Sequence, residues 1–213
     1  MQRLDATIFD YCEQWSAPPD PILHELERET HLRTLAPQML SGALQGQLLK
    51  LFSQLQRPKS VLEIGTFTGY ATICLAQGLV EEGRVRTIEA NPELEYIIRK
   101  YLKKAGLEDK VEVHIGDAMQ VIPTLPGTFD LVFIDAGKQH YQAYYDLIID
   151  RVESGGLIIA DNVLWSGKVA TGLRETDADT KQLHAFNVAL QEDERVDNLL
   201  LPIRDGLLVA RKR

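Results

Sequence analysis

The sequence is poor in cysteine: only Cys12 and Cys74 occur among 213 residues. They stand far apart, in no Cys-x-x-Cys pair and with no histidines at zinc-finger intervals, which excludes a disulfide framework and a structural zinc module. Long apolar runs are missing too. Leu199-Leu200-Leu201 and Gly156-Leu157-Ile158-Ile159-Ala160 fall far short of the roughly 20 residues a membrane helix needs, so no membrane partner is expected. Met1-Gln2-Arg3-Leu4-Asp5 leads into neither an apolar stretch nor a small-residue cleavage site, which sets the expectation of a cytoplasmic protein without a secretory leader. Positive charge is in deficit, with 23 Lys and Arg against 31 Asp and Glu and a net charge of −8. Nonspecific binding to phosphate backbones depends on clustered Lys and Arg, so a nucleic-acid partner is disfavoured. Internal repeats and low-complexity tracts are absent.

What is present has the balance of a soluble globular chain, with 45% apolar and 25% charged residues. The length suits one domain over 1–213, divided into a helical cap (1–56) and an α/β core (57–213). In the cap, Asp5 to Trp15 and Pro19 to Thr30 read as helices kept apart by the prolines of Ser16-Ala17-Pro18-Pro19-Asp20-Pro21. A third helix is predicted from Ser41, its cap, to Leu55, with Leu44, Leu48, Leu51, Phe52 and Leu55 at helical spacing.

From Ser60 onward, short apolar runs alternate with helical patterns. Strands are predicted at Val61 to Ile64, Val85 to Ile88, Val111 to Ile115, Leu131 to Ile134 and Leu157 to Ala160. Helices fall between them at Gly69 to Val80, Pro92 to Ala105, Ala118 to Ile122 and Tyr141 to Val152. That rhythm implies a parallel sheet with helices on both faces. A helix from Asp179 to Gln191 then precedes two more strands, Leu199 to Ile203 and Leu207 to Ala210, which Asp205-Gly206 should join as an antiparallel hairpin with a type I′ turn.

Ligands of such sheets bind beyond the carboxyl ends of the strands, where strand order reverses. After the first strand stands Glu63-Ile64-Gly65-Thr66-Phe67-Thr68-Gly69-Tyr70. Gly65 and Gly69 permit a tight turn, but the spacing departs from G-x-G-x-x-G, which disfavours a pyrophosphate ligand. Glu89 ends the second strand, where a carboxylate can accept hydrogen bonds from both hydroxyls of a ribose. Glu-x-Gly-x-x-x-Gly-Tyr resembles the cofactor loop of class I methyltransferases, above all the metal-dependent catechol and caffeoyl-CoA O-methyltransferase family. That resemblance implies S-adenosylmethionine as cofactor and a seven-stranded Rossmann-like α/β sheet, mostly parallel with a C-terminal antiparallel hairpin. It places Glu63 near the cofactor's amino-acid end and Asp117 and Ala118, of Gly116-Asp117-Ala118, near adenine. It adds Thr66 and Tyr70 from the loop, and Met39 and Ser41 from a segment that closes over metal and cofactor. One departure is Ala71, where the family usually has serine; Thr66, Thr68 or Thr72 stands near enough to substitute.

Two further strand ends carry the chemistry: Asp135-Ala136-Gly137-Lys138 and Asp161-Asn162-Val163-Leu164-Trp165. Asp135, Asp161 and Asn162 face one rim and offer three oxygen ligands, a set suited to Mg²⁺, with Mn²⁺ or Ca²⁺ also accommodated, rather than zinc. A lone aspartate at a strand end is as readily a helix cap, but an Asp-Asn pair is harder to account for that way. These segments also resemble the metal-dependent O-methyltransferases, over about Leu35 to Arg211. The likeness makes Asp135, Asp161 and Asn162 the metal ligands, Asp135 a cofactor and catalytic neighbour as well, and Lys138 the general base. Trp165 reads equally as a pocket wall or a core residue. Ser166 replaces the Asn frequent in plant relatives and, with Trp165 and Lys168 to Arg174, is expected to shape substrate choice. None of the five histidines has ligand spacing, and His140 stands nearest Lys138.

The expected enzyme is therefore an S-adenosylmethionine- and divalent-metal-dependent O-methyltransferase acting on a small hydroxylated aromatic, a catechol-type vicinal diol. The resemblance suggests a homodimer, with the helical cap over the active site or against the second subunit. Two alternatives stay open. One is methylation of a hydroxylated uridine in transfer RNA, for which Arg99-Lys100, Lys103-Lys104 and Arg211-Lys212-Arg213 are the candidate phosphate contacts. The other is a non-catalytic metabolite-binding module.

Overall fold

Runs of Val, Ile, Leu and Phe that are apolar on both faces become the central strands, and runs with polar residues interspersed become the outer ones. The computed structural model describes residues 6–171 and 177–213; Asp5, expected to start the first helix, and positions 172–174 of the substrate segment lie outside them. Among the described residues one seven-stranded sheet forms: β1 (Ser60–Ile64), β2 (Arg84–Glu89), β3 (Val111–Ile115), β4 (Phe129–Ile134), β5 (Val152–Ala160), β6 (Val196–Leu201) and β7 (Leu207–Lys212). Its order is β3-β2-β1-β4-β5-β7-β6, with β1 to β5 parallel and β7 antiparallel to both β5 and β6. The Rossmann-like sheet with an antiparallel hairpin is thus present. Strand order reverses between β1 and β4, which locates the cleft at their carboxyl ends.

Alternation along each strand divides the core in two. Leu131 and Phe133 of β4 join Val61, Val85 and Ile159 on one face, where α3 (Gly42–Gln56), α4 (Tyr70–Ala76) and α5 (Glu95–Lys104) pack. Val132 and Ile134 join Leu62, Ile64 and Ile158 on the other, beneath α7 (Tyr141–Ile148) and α9 (Ala178–Glu192). There the Tyr141 and Tyr145 rings meet Phe186 edge-on at 5.5 and 6.3 Å. The N-terminal helices α1 (Ala6–Gln14) and α2 (Pro21–Arg33) precede α3; α2 starts where Asp20 accepts the Ile22 N–H (2.9 Å) and Pro21 fixes the first turn. The short α6 (Ala118–Val121) and α8 (Lys168–Thr171) complete the α-helices of the described residues.

Three expectations need correction. The helix after β1 ends at Ala76 rather than Val80, because Gly78 packs so tightly on α3 that a Cβ there would lie 2.2 Å from the Ser53 carbonyl carbon. Ser41 stands at the start of α3 but caps nothing with its side chain: its own backbone is already helical (φ −60°, ψ −33°). The β6–β7 connection is not a two-residue Asp-Gly turn. It spans positions 202–206, with the positive φ values on Arg204 (49°) and Gly206 (91°) and Gly206 N–H donating to the Ile203 carbonyl (2.9 Å).

Candidate active site

A cleft of about 1260 Å³ opens at the carboxyl ends of β1 to β5. Met39, Ser41, Gly65, Thr66, Tyr70, Glu89, Asp117, Ala118, Asp135, Lys138, Asp161, Asn162 and Trp165 all line it. Glu63, Gly69 and Ser166 do not. Gly69 instead begins α4 in a left-handed conformation (φ 94°), and Ser166 is exposed, its N–H held by the Asp205 carboxylate.

The turn after β1 is built around Gly65, whose φ is 98° and whose added Cβ would sit 1.9 Å from the Asp135 carbonyl oxygen. Glycine is therefore demanded both by conformation and by the approach of β4. Beside it, Glu89 accepts the Phe67 N–H (2.7 Å) and the Asn91 N–H (2.8 Å), one on each oxygen. A carboxylate has about four acceptor positions, so this tether leaves Glu89 capacity for a ligand. Burial raises the Glu89 pKa, against the pull of those amides. Asp117 caps α6 by accepting the Met119 N–H (2.9 Å) while lining the cleft, so its capping and cleft roles coexist.

Glu63 lies beneath this turn, fully buried. Its Oε2 accepts hydrogen bonds from Thr72 and from Thr87 (2.5 Å), while Oε1 has no partner. Burial pushes its pKa up to about 8; the two hydroxyls oppose that rise, and Asp135 and Glu89 reinforce it. The hydroxyls near Ala71 are all engaged. Thr72 donates to Glu63, Thr68 pairs with Thr30 (3.0 Å) and Thr66 with Thr87 (2.5 Å), and only Thr66 among the three lines the cleft.

At the β4–β5 rim, Lys138 Nζ donates to Asn162 Oδ1 (2.6 Å), Tyr141 Oη (2.8 Å) and Asp135 Oδ1 (3.2 Å). Tyr141 in turn donates to the Asp161 carbonyl oxygen (3.0 Å), leaving its oxygen free to accept from the lysine. Burial, then the charges of Asp135 and Asp161, hold the Tyr141 hydroxyl far above its ordinary pKa, so it stays protonated. Asp161 is buried; its Oδ2 accepts from Gln45 Nε2 (2.7 Å) and its Oδ1 from the Asn162 N–H (2.7 Å). Burial, and next Asp135, push its pKa up to about 6. Two carboxylates this close repel unless a positive charge joins them.

The donor chemistry fits a hard divalent cation on one observation in particular. The ammonium of Lys138 bridges Asp135 Oδ1 and Asn162 Oδ1, so those oxygens already converge on a cationic centre, with Asp161 adjacent in sequence. Among the described residues no group of three or more His, Cys, Asp or Glu side chains could hold a metal ion, so an amide oxygen would have to be the third donor, and such an all-oxygen set would suit Mg²⁺, Mn²⁺ or Ca²⁺ rather than zinc.

The segment after β5 is held under strain. Asn162, Trp165 and Ser166 have φ values of 59°, 46° and 55°, a conformation that costs non-glycine residues of order 1–3 kcal/mol each and that asparagine tolerates best. Compensation comes from the β6–β7 connection: Val163 N–H donates to the Gly206 carbonyl (3.1 Å) and Leu164 N–H to the Asp205 carbonyl (2.9 Å). Trp165 both lines the cleft and packs on the core, so its two readings hold together, and Lys168 Nζ stands 5.8 Å from its ring centre. Sequence reasoning missed Gln45 and Arg204. The first lies one helical turn after Ser41, which was a usable signal; the second sits in a loop whose shape no local pattern reveals.

A parallel sheet ended by an inserted antiparallel strand, with acidic groups at successive strand ends around one cleft, defines a Rossmann-like methyltransferase. The O-methyltransferase family model matches residues 13–213, and the chain belongs to that family. It is 32% identical over 200 residues to a caffeoyl-CoA O-methyltransferase of Stellaria longipes, covering 89% of this chain and 83% of that one. It is 36% identical over 175 residues to a catechol O-methyltransferase of Niastella koreensis, covering 78% and 79%. The crystal structure of the O-methyltransferase from Bacillus cereus in complex with SAH superposes with a TM-score of 0.90 at 31% identity, covering 97% of each chain.

Proposed function

We propose that the protein methylates one hydroxyl of a catechol-type vicinal diol, with S-adenosylmethionine as donor and a divalent cation held by Asp135, Asp161 and Asn162. The observation that carries this reading is the Lys138 ammonium lodged among Asp135, Asn162 and Tyr141 at the cleft rim. Relatives named for caffeoyl-CoA and for catechol support a hydroxylated aromatic substrate, and the Bacillus cereus complex with SAH supports the cofactor. When bound, the cofactor supplies a methyl group on a positively charged sulfur, and the cation supplies charge that lowers a hydroxyl pKa.

The chain's own groups do the rest. Gly65 admits the cofactor close to the backbone, Glu89 accepts its ribose hydroxyls, and Asp117 with Ala118 flanks its base. Lys138 Nζ is the group placed to accept the substrate hydroxyl proton. Tyr141 Oη then receives one N–H of the resulting ammonium, because its own proton is committed to the Asp161 carbonyl. Trp165 walls the substrate side of the cleft.

The decisive experiment follows labelled methyl from S-adenosylmethionine to catechol, caffeoyl-CoA and undermodified transfer RNA, before and after chelation. Transfer to catechol that EDTA abolishes and Mg²⁺ or Mn²⁺ restores is expected. Activity indifferent to chelation, or transfer to RNA alone, would overturn the proposal. The reading extends to a homodimer, supported by the exposed Tyr11 of α1, Trp15 just after it, and Leu51 and Leu55 of α3; sedimentation at micromolar concentration tests it. No helix of the described residues is long and apolar enough to cross a membrane.

A further inference from the structure

We infer that Gln45 and Arg204 form a positioning relay that sets Asp161 for its cation and ties that ligand to the N-terminal helices. The inference rests on the proposed role of Asp161 as a metal ligand. Gln45, on α3, is wholly buried, yet both ends of its carboxamide are used. Its Nε2 donates to Asp161 Oδ2 (2.7 Å), and its Oε1 accepts from Arg204 Nη1 (3.1 Å). The guanidinium therefore fixes which way round the amide stands. A reversed amide would aim its oxygen at a carboxylate and its N–H groups at a cation.

The same Arg204 Nη1 also donates to the Ser41 carbonyl (2.5 Å), pinning the first turn of α3 where Ser41 lines the cleft. Arg204 is presented from a left-handed position in the β6–β7 connection, the connection that also grips the backbone of Val163 and Leu164. One loop thus supports the strained β5 segment through its backbone and Asp161 through Gln45. With Gln45 on Oδ2 and the Asn162 N–H on Oδ1, each carboxylate oxygen is held from one side and keeps capacity on the other. A carboxylate whose orientation is set beforehand binds a cation without first losing rotational freedom, and groups in this position typically alter metal affinity by about 10–100-fold.

The test is direct Mn²⁺ binding to the full-length protein, by electron paramagnetic resonance of the free ion, alongside SAH affinity by calorimetry. Gln45→Leu should weaken Mn²⁺ binding by about 10–100-fold with SAH affinity within about twofold of wild type. Arg204→Met should give a smaller loss, and Arg204→Met added to Gln45→Leu should cost less than it does alone, because arginine sets the ligand chiefly through glutamine. Should Gln45→Leu not fold, Gln45→Asn, one methylene shorter, removes the same contact and should weaken Mn²⁺ in the same way. A folded Gln45 variant with wild-type Mn²⁺ affinity overturns the relay, and so do losses from Gln45 and Arg204 that multiply independently. A wild-type protein that binds no Mn²⁺ fails at the earlier step, the metal reading itself, and takes the relay with it.

Discussion

Glu63→Gln should make the protein more stable in alkaline solution. The wild-type carboxyl is buried with a pKa pushed up to about 8, whereas in the unfolded chain it returns to about 4.5. Between those values the folded protein holds a proton that the unfolded chain releases, so stability falls as pH rises through this window and the loss is complete above about pH 8. At about 1.4 kcal/mol per pH unit the full cost is on the order of 5 kcal/mol, comparable with the whole stability of a small domain. A glutamine reproduces the neutral acid: its carbonyl oxygen takes the Thr72 and Thr87 hydroxyls, and its NH₂ replaces the unpartnered Oε1. Urea titrations of the cofactor- and metal-free proteins from pH 5.5 to 8.5 check this. The variant should lead by only about 1.4 kcal/mol at pH 5.5, one unit above the unfolded value, and by several kcal/mol at pH 8.5. Parallel profiles across that range would mean Glu63 is ionised in the fold, and the reasoning from burial would fail.

Other changes probe the rim and the turn. Lys138→Met should lower the methyl-transfer rate by about 10²–10⁴-fold while SAH affinity holds, as measured by single-turnover kinetics and calorimetry. Gly65→Ala forces a Cβ to 1.9 Å from the Asp135 carbonyl at a φ of 98°, so thermal melts should show a destabilisation on the order of 3 kcal/mol or more. Glu89→Ala strips the acceptor from the Phe67 and Asn91 amides. It should weaken SAH by at least about tenfold, the scale of a lost charged hydrogen bond, and a calorimetric value near wild type would remove Glu89 from the ribose site.

Most of the sheet was legible because its strands are apolar runs of the right length between helical patterns, and the order of chemistry along the chain follows those strand ends. Asp135, Lys138, Asp161 and Asn162 meet as their spacing implied, since neighbouring parallel strands bring successive carboxyl ends to one rim. Glu63 stands in β1 as expected, but it does not line the cleft. Its side chain lies beneath the turn, where Thr72 and Thr87 receive it, and alternation along β1 alone does not reveal what lies under a loop. The Asp205-Gly206 pair named a hairpin but not its shape, because Leu164 N–H claims the Asp205 carbonyl and pulls the turn out of the two-residue form. Contacts far apart in sequence, such as Gln45 with Asp161, have no local signature at all.

The insertion of β7 between β5 and β6 also dictates an order of assembly. β6 pairs with the sheet only through β7, so a growing polypeptide that has reached Leu201 carries a strand with no neighbour to hydrogen-bond to in the sheet. Until Leu207–Lys212 follows, the edge of β5 stays open to pairing with other chains, a hazard for aggregation during synthesis. The hairpin should form as a local unit and then close onto β5, bringing Arg204 and the Asp205 carbonyl to the cleft in the same movement. Catalytic competence and completion of the sheet would then arrive together, and pulse-labelled hydrogen exchange should find β6 and β7 gaining protection as one late kinetic phase.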